Sequence, residues 1–260
     1  MSRPARATRL AVLISGGGSN LRALLEAIAA DPAFGGEVVV VGTDRSDAGG
    51  LQHARDAEIP TVVEVLERGS DRAAWEDRLA ARLIEHDAEV VVLAGFMRIL
   101  SGRFLAHWPD RVLNTHPSLL PAFRGAHAVR EALGYGVAVT GCTVHLVDEQ
   151  VDHGPILVQE AVPVLADDTE ERLHERIKSV EHRLLPAGVR LLCHDRLRIE
   201  GRRVRILPAD DASASPIVLP GPEPTPPGPE PTPPDPEPTP PGPEPTPPDP
   251  EPTPGAEDHP

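Results

Sequence analysis

Cysteine, lysine and long apolar runs are all scarce in this 260-residue chain, and each scarcity closes a line of function. The two cysteines, Cys142 and Cys193, sit in apolar stretches with no CxxC or Cys/His ligand spacing around them. Buried free thiols are therefore expected, and a disulfide framework or structural metal is not. The single lysine, Lys178, falls in a helical pattern away from any strand end, which excludes Schiff-base chemistry there. No apolar run approaches the roughly 20 residues of a membrane helix, and the N-terminal one is too short for a signal peptide. A cytoplasmic protein with no membrane partner is predicted. Positive charge is also in deficit: the formal net charge is −15, and without clustered cations nucleic acid is not an expected partner.

What is abundant is proline, and it is segregated. From Pro220 onward lie 21 of the 32 prolines, within four heptads PEPTPPG or PEPTPPD from Pro222 to Asp249 and a fifth truncated at Gly255. The same stretch holds six Glu, three Asp and no Lys or Arg. Such a segment has no apolar face to bury, and frequent proline removes backbone donors and favours polyproline II. The sequence thus predicts a folded domain over 1–210 and a disordered, acidic, proline-rich tail over 211–260, whose charge serves solubility in the simplest reading.

Within the first 210 residues short β-branched runs alternate with longer helical patterns, the signature of an α/β fold with a mostly parallel, Rossmann-like sheet and helices on both faces. Strands are expected at Leu10–Ile14, Glu37–Gly42, Thr61–Val65, Glu89–Leu93 and Val112–Asn114. Thr140–Val147 and Ile156–Val164 are expected to pair antiparallel, and a short hairpin to surround Glu200-Gly201. Helices are expected after SGGGSN, over GGLQHARDAEI, over Ser70–His86, and from Asp168 to about Cys193, the last opened by a capping box Asp168-x-x-Glu171.

In an open α/β sheet ligands bind beyond the carboxyl ends of the strands, and every unusual cluster here falls just after one. SGGGSN, Ser15–Asn20, can bring backbone N–H groups close to an anion at a helix start, with Ser19 and Asn20 adding donors. It lacks the lysine of a P-loop and the G-x-G-x-x-G spacing, so a monophosphate suits it better than ATP or NAD; the plain alternative is a tight strand-to-helix turn. NTHPSLLP, Asn114–Pro121, places an amide and an imidazole two residues apart at a strand end, where both can point into one site. Asn114 could donate to a developing oxyanion, and His116 could stabilise it or move a proton, a pair suited to acyl transfer; a lone histidine at a strand end is otherwise structural. In DEQVDHGP, Asp152 is placed to reach back over the sheet edge, although a turn aspartate commonly caps its own backbone. Asp152, His116 and His153 have no metal-ligand spacing, and Ser118 lacks a nucleophile's G-x-S-x-G context.

Taken together, ISGGGSNL, LAGFMRIL, NTHPSLLP and DHGPILVQ resemble, in order and spacing, the motifs of the folate-dependent phosphoribosylglycinamide formyltransferases over about residues 8–208. The resemblance implies the formyltransferase fold and transfer of a formyl group from 10-formyltetrahydrofolate, as co-substrate, to the amine of glycinamide ribonucleotide, with no metal. It implies Asn114, His116 and Asp152 as catalytic residues and Gly18, Ser19, Asn20 and Glu181 as binders of the phosphoribosyl substrate. It further implies Arg72, Met97, Arg98, Ile99, Leu100 and Asn114 on the folate side, with backbone groups reading the pterin. Partners would be these small molecules, and the protein a monomer or homodimer. Two departures are small: Gly17 stands where another small polar residue is common, and His153 where glycine is frequent.

Three competing readings follow. A formyltetrahydrofolate hydrolase uses a similar Asn, His and Asp, but carries an N-terminal regulatory domain for which the roughly nine residues before the first strand leave no room. Methionyl-tRNA formyltransferase needs a C-terminal nucleic-acid-binding domain, which an acidic proline tail cannot supply. A nucleotide-binding interaction module recruiting proline-recognising partners through the tail is the reading from a different class.

Overall fold

The computed structural model describes residues 6–208; the proline-rich tail, and with it the expected boundary at 210, lies outside the described residues. Seven strands form one sheet: β1 (Thr8–Ile14), β2 (Gly36–Thr43), β3 (Thr61–Val63), β4 (Val90–Leu93), β5 (Val112–His116), β6 (Val139–Leu146) and β7 (Ile156–Pro163). Their order is β3-β2-β1-β4-β5-β6-β7. β3 to β5 run parallel, while β6 pairs antiparallel with both β5 and β7. β8 (Leu197–Glu200) and β9 (Arg203–Ile206) form the expected C-terminal hairpin.

The central strands are apolar along their whole length because both faces are covered. In β1, Leu10, Val12 and Ile14 enter one hydrophobic cluster while Ala11 and Leu13 enter another; in β4, Val90 and Val92 separate from Val91 and Leu93 in the same way. That alternation is the period-2 geometry of a strand buried on both sides. The first cluster is closed by α1 (Ser19–Ala30) and α6 (Glu170–Cys193), through Leu21, Leu24, Leu173, Ile177, Leu184 and Val189. The second is closed by α3 (Arg72–Glu85) and by α4 (Gly102–Leu105), through Trp75, Leu79, Leu83 and Phe104. α2 (Leu51–Asp56) and α5 (Ala128–Tyr135) complete the helices.

Several expectations need correction. β5 continues two residues past Asn114, so His116 is part of the strand and shares a face with Asn114. α4 and α5 were not expected; four and eight residues are too few for a helical period to stand out. β3 stops at Val63, two residues early. α6 is capped not by Asp168 but by Thr169, whose hydroxyl accepts from the Arg172 N–H at 3.3 Å. Asp168 is held elsewhere, accepting two bonds of 2.7 Å from Arg176, two turns into the helix. Cys142 is fully buried and its thiol is pushed far up by burial; Cys193 is only half-buried, and burial pushes it up to about 12.

Candidate active site

The carboxyl ends of β1, β2, β4 and β5 open on one edge of the sheet, and the chain crosses from one side of β1 to the other between β3 and β4. A switch of that kind leaves a crevice between the loops. Asn114 and His116, two apart on β5, project to the same side of it.

The hydrogen-bond partners decide the state of each group. His145 lies directly opposite Asn114 across the antiparallel β5–β6 pair. Its Nδ1 faces only an acceptor, the Leu146 carbonyl at 2.8 Å, so Nδ1 carries the proton and Nε2 is left as an acceptor. Nε2 takes a hydrogen from the Asn114 amide at 3.2 Å, which fixes that amide with its NH2 toward the site. The second amide hydrogen is weakly engaged by Asp152 Oδ1 at 3.4 Å. Burial lowers the His145 pKa, outweighing its hydrogen bond to the Leu146 backbone, and keeps the ring neutral.

His116 is oriented by the same reasoning. Its Nε2 donates to the Phe123 carbonyl at 2.8 Å, so Nδ1 is turned to Asp152 Oδ2 at 3.3 Å. An imidazole nitrogen and a carboxylate oxygen placed this way can pass a proton between them. Asp152 Oδ2 also accepts from the Gly125 N–H at 2.8 Å, and the residue sits in the left-handed region with φ 47°. Asp152 thereby ties Asn114, His116 and the 123–125 turn into one cluster. An amide donor and a His–Asp pair able to transfer a proton thus lie side by side, the groups that addition to a carbonyl requires.

The glycine-rich turn also takes the expected position. Gly18, in the left-handed region at φ 74°, begins α1, and no side chain caps this end. A Cβ on Gly18 would stand 2.6 Å from the Gly50 Cα, whereas one on Gly16 or Gly17 would meet nothing within 4 Å. The first-turn N–H groups are thus left for an outside acceptor. Asn20 Nδ2 donates to Glu181 Oε2 of α6 at 2.9 Å, both side chains being buried, which joins two of the expected substrate residues. Lys178 lies one turn before Glu181, paired with Glu175 at 2.7 Å.

The segment after β4 is split in character. Met97 and Ile99 are 70% and 59% exposed, but Leu100 is buried in the second cluster. The Leu100 side chain is therefore core, and only its backbone can serve a ligand. Arg72 reaches this segment, its guanidinium donating to the Ile99 carbonyl. Ser118 donates to the Ala122 carbonyl at 2.6 Å and only shapes the turn. His153 turns from the pocket to Asp148 at 2.6 Å and to Arg202. His145, the Phe123 carbonyl and the Gly125 N–H were not expected from sequence; the only signal was a histidine inside an otherwise β-branched strand.

His145 also makes the fold pH-sensitive. Its folded pKa lies below the unfolded value of about 6.5, so the unfolded chain takes up a proton first as pH falls, and stability is lost below about pH 6.5. His145→Gln is expected to shrink the drop in melting temperature between pH 7.5 and 5.5. An unchanged drop would mean that His145 is not held neutral in the fold.

The fold and the Asn114–His116–Asp152 cluster are those of an α/β enzyme that transfers a group at carbonyl carbon. The chain belongs to the formyl transferase family, whose sequence profile matches residues 8–189. Phosphoribosylglycinamide formyltransferase of Mycobacterium tuberculosis is 49% identical over 199 residues, covering 76% of this chain and 91% of that one. The crystal structure of glycinamide ribonucleotide transformylase 1 from Symbiobacterium toebii is similar with a TM-score of 0.75 at 48% identity, over 78% of this chain and 95% of that one. A formyltetrahydrofolate deformylase from Pseudomonas syringae is more distant at 26% identity, with a TM-score of 0.73 over 78% of this chain and 67% of that one. Among the described residues no helix is long and apolar enough to cross a membrane, and no cluster of His, Cys, Asp or Glu has metal-holding geometry.

Proposed function

We propose that the chain transfers the formyl group of 10-formyltetrahydrofolate to the amine of glycinamide ribonucleotide, a cytoplasmic step of purine synthesis. The observation that carries the reading is the clustering of Asn114, His116 and Asp152 at one strand end, in a chain 49% identical to a phosphoribosylglycinamide formyltransferase. The substrate amine attacks the formyl carbon, forming a C–N bond and moving the carbonyl electrons onto oxygen. The Asn114 hydrogen now engaged by Asp152 turns to that oxyanion, and His116 stabilises it. Collapse breaks the bond from carbon to the folate nitrogen, and the proton shed by the newly bonded substrate nitrogen reaches that folate nitrogen through the Asp152–His116 edge or a water beside it. The open N–H groups at Gly18–Asn20 suit the monophosphate, Glu181 suits the ribose or amine end, and the exposed backbone of Met97–Leu100 with Arg72 suits the folate.

Incubation of the full chain with both substrates, followed by mass spectrometry, tests this reading. Formylglycinamide ribonucleotide is the expected product. Free formate without that product would instead favour the hydrolase reading, for which the likeness to the Pseudomonas syringae deformylase is the specific support.

A further inference from the structure

Two buried carboxylates that the proposed chemistry does not use lie beneath the segment after β4. Asp44, the residue after β2, is 3% exposed. It accepts from the Ser15 hydroxyl at 2.6 Å and from Arg98 Nε at 2.6 Å. The Ser15 oxygen in turn accepts from the Met97 N–H at 2.9 Å. At the other end Glu76, on α3 and also 3% exposed, accepts from the Ser101 N–H at 3.2 Å, from the Ser101 hydroxyl, and from Arg72 Nε at 3.4 Å. Arg72 closes the circuit onto the Ile99 carbonyl. Five consecutive residues are thus held at both ends by charges coming from two different elements, while Met97 and Ile99 between them stand in solvent.

A buried carboxylate costs several kcal/mol of desolvation unless it is fully paired, and an apolar residue of similar volume commonly stabilises as well or better. Two of them committed to one short exposed segment therefore point to shape rather than stability. An exposed loop without them would sample many conformers, and a ligand would have to offset the ordering cost on binding. We propose that Asp44 and Glu76, with Ser15 relaying the first, are positioning residues of the formyl-folate subsite: they hold the backbone of Met97–Leu100 in its ligand-ready form before the folate arrives. This rests on the formyl-folate reading above. Neither carboxylate touches the reacting atoms or the Gly18–Asn20 N–H groups, so the effect falls mainly on folate affinity, and Glu76, which has no bond to the glycine turn, separates the two sides most cleanly.

Direct binding separates the two claims. A non-transferring deaza analogue of 10-formyltetrahydrofolate is titrated by calorimetry into the full wild-type chain, Asp44→Asn and Glu76→Gln, with glycinamide ribonucleotide titrated in parallel and melting temperatures recorded. Each substitution keeps the side chain's size and removes its charge. Each is expected to weaken the analogue about tenfold, the order of affinity lost when a preordered segment must be ordered on binding, with ribonucleotide affinity changed less than about twofold. If Asp44→Asn does not fold, Glu76→Gln carries the same test. Analogue affinity equal to wild type in the folded variants, or equal losses for both ligands, would overturn the positioning role. A wild-type chain that binds the ribonucleotide but not the analogue would overturn the formyl-folate reading beneath it, and the inference with it.

Discussion

Asp152→Asn is expected to bind both substrates as wild type does while turnover falls about a hundredfold or more, the contribution of a positioned proton-transfer group. The substitution is isosteric, and the amide oxygen can still accept from the Gly125 N–H that holds the carboxylate at 2.8 Å. That same oxygen is the one 3.3 Å from His116 Nδ1, so the amide NH2 falls at the Oδ1 position, beside the Asn114 amide and His145 Nε2. His116 Nε2 still donates to the Phe123 carbonyl, and its Nδ1 then faces a neutral amide oxygen in place of a carboxylate. A neutral amide can neither take up the transferred proton nor offset charge on the imidazole, so the edge no longer relays a proton. Steady-state kinetics with each substrate varied in turn check this. A kcat within a few-fold of wild type would remove the aspartate from the mechanism.

Gly154→Ala is expected to be as damaging by a different route. The new Cβ would overlap the Leu146 carbonyl oxygen and press on the Asp148 backbone nitrogen at 3.2 Å. Both are backbone atoms tied into the structure: Leu146 N–H bonds the Pro155 carbonyl at 2.9 Å, and the Leu146 carbonyl receives His145 Nδ1. No side-chain rotation relieves the clash, so the 148–154 loop must move and carry Asp152 away from His116. A cost of about 3 kcal/mol is expected, in the upper range for overpacking, or about 6–12 °C in melting temperature for a domain of this size. Turnover is expected to fall at least tenfold even well below the melting temperature, since misplacing a catalytic group by an ångström costs that much or more. An alanine variant with wild-type melting temperature and turnover would show that the loop accommodates a side chain there.

Much of this architecture was legible in the residues because burial on two faces leaves a plain mark. LAVLI and EVVVL could be read as central strands since nothing polar interrupts them, and the glycine turn and NTHP stood out by falling just where those runs end. Asn114 and His116 were readable as a pair because period 2 puts residues two apart on one face. His145 was not readable as their partner. Its place opposite Asn114 depends on the β5–β6 register, and β6 carries an irregularity at Val144/His145 that no local pattern announces. Asp44 and Glu76 were hidden for another reason. A carboxylate after a strand or on an amphipathic helix reads as a solvated surface group, and only the packed structure shows both enclosed and pointed at one segment. The misplaced cap of α6 has the same origin: Asp168 and Thr169 are both good cap residues, and what decides between them is Arg176, two turns further on.

The central claim is a direct transfer to the ribonucleotide amine, and the rate of loss of 10-formyltetrahydrofolate tests it most directly. That rate is followed spectrophotometrically with and without glycinamide ribonucleotide, for the wild-type chain and for His116→Ala. Deformylation that requires the ribonucleotide and is lost in the variant is the predicted result. Deformylation at the same rate without the ribonucleotide would contradict the account and make water the acceptor.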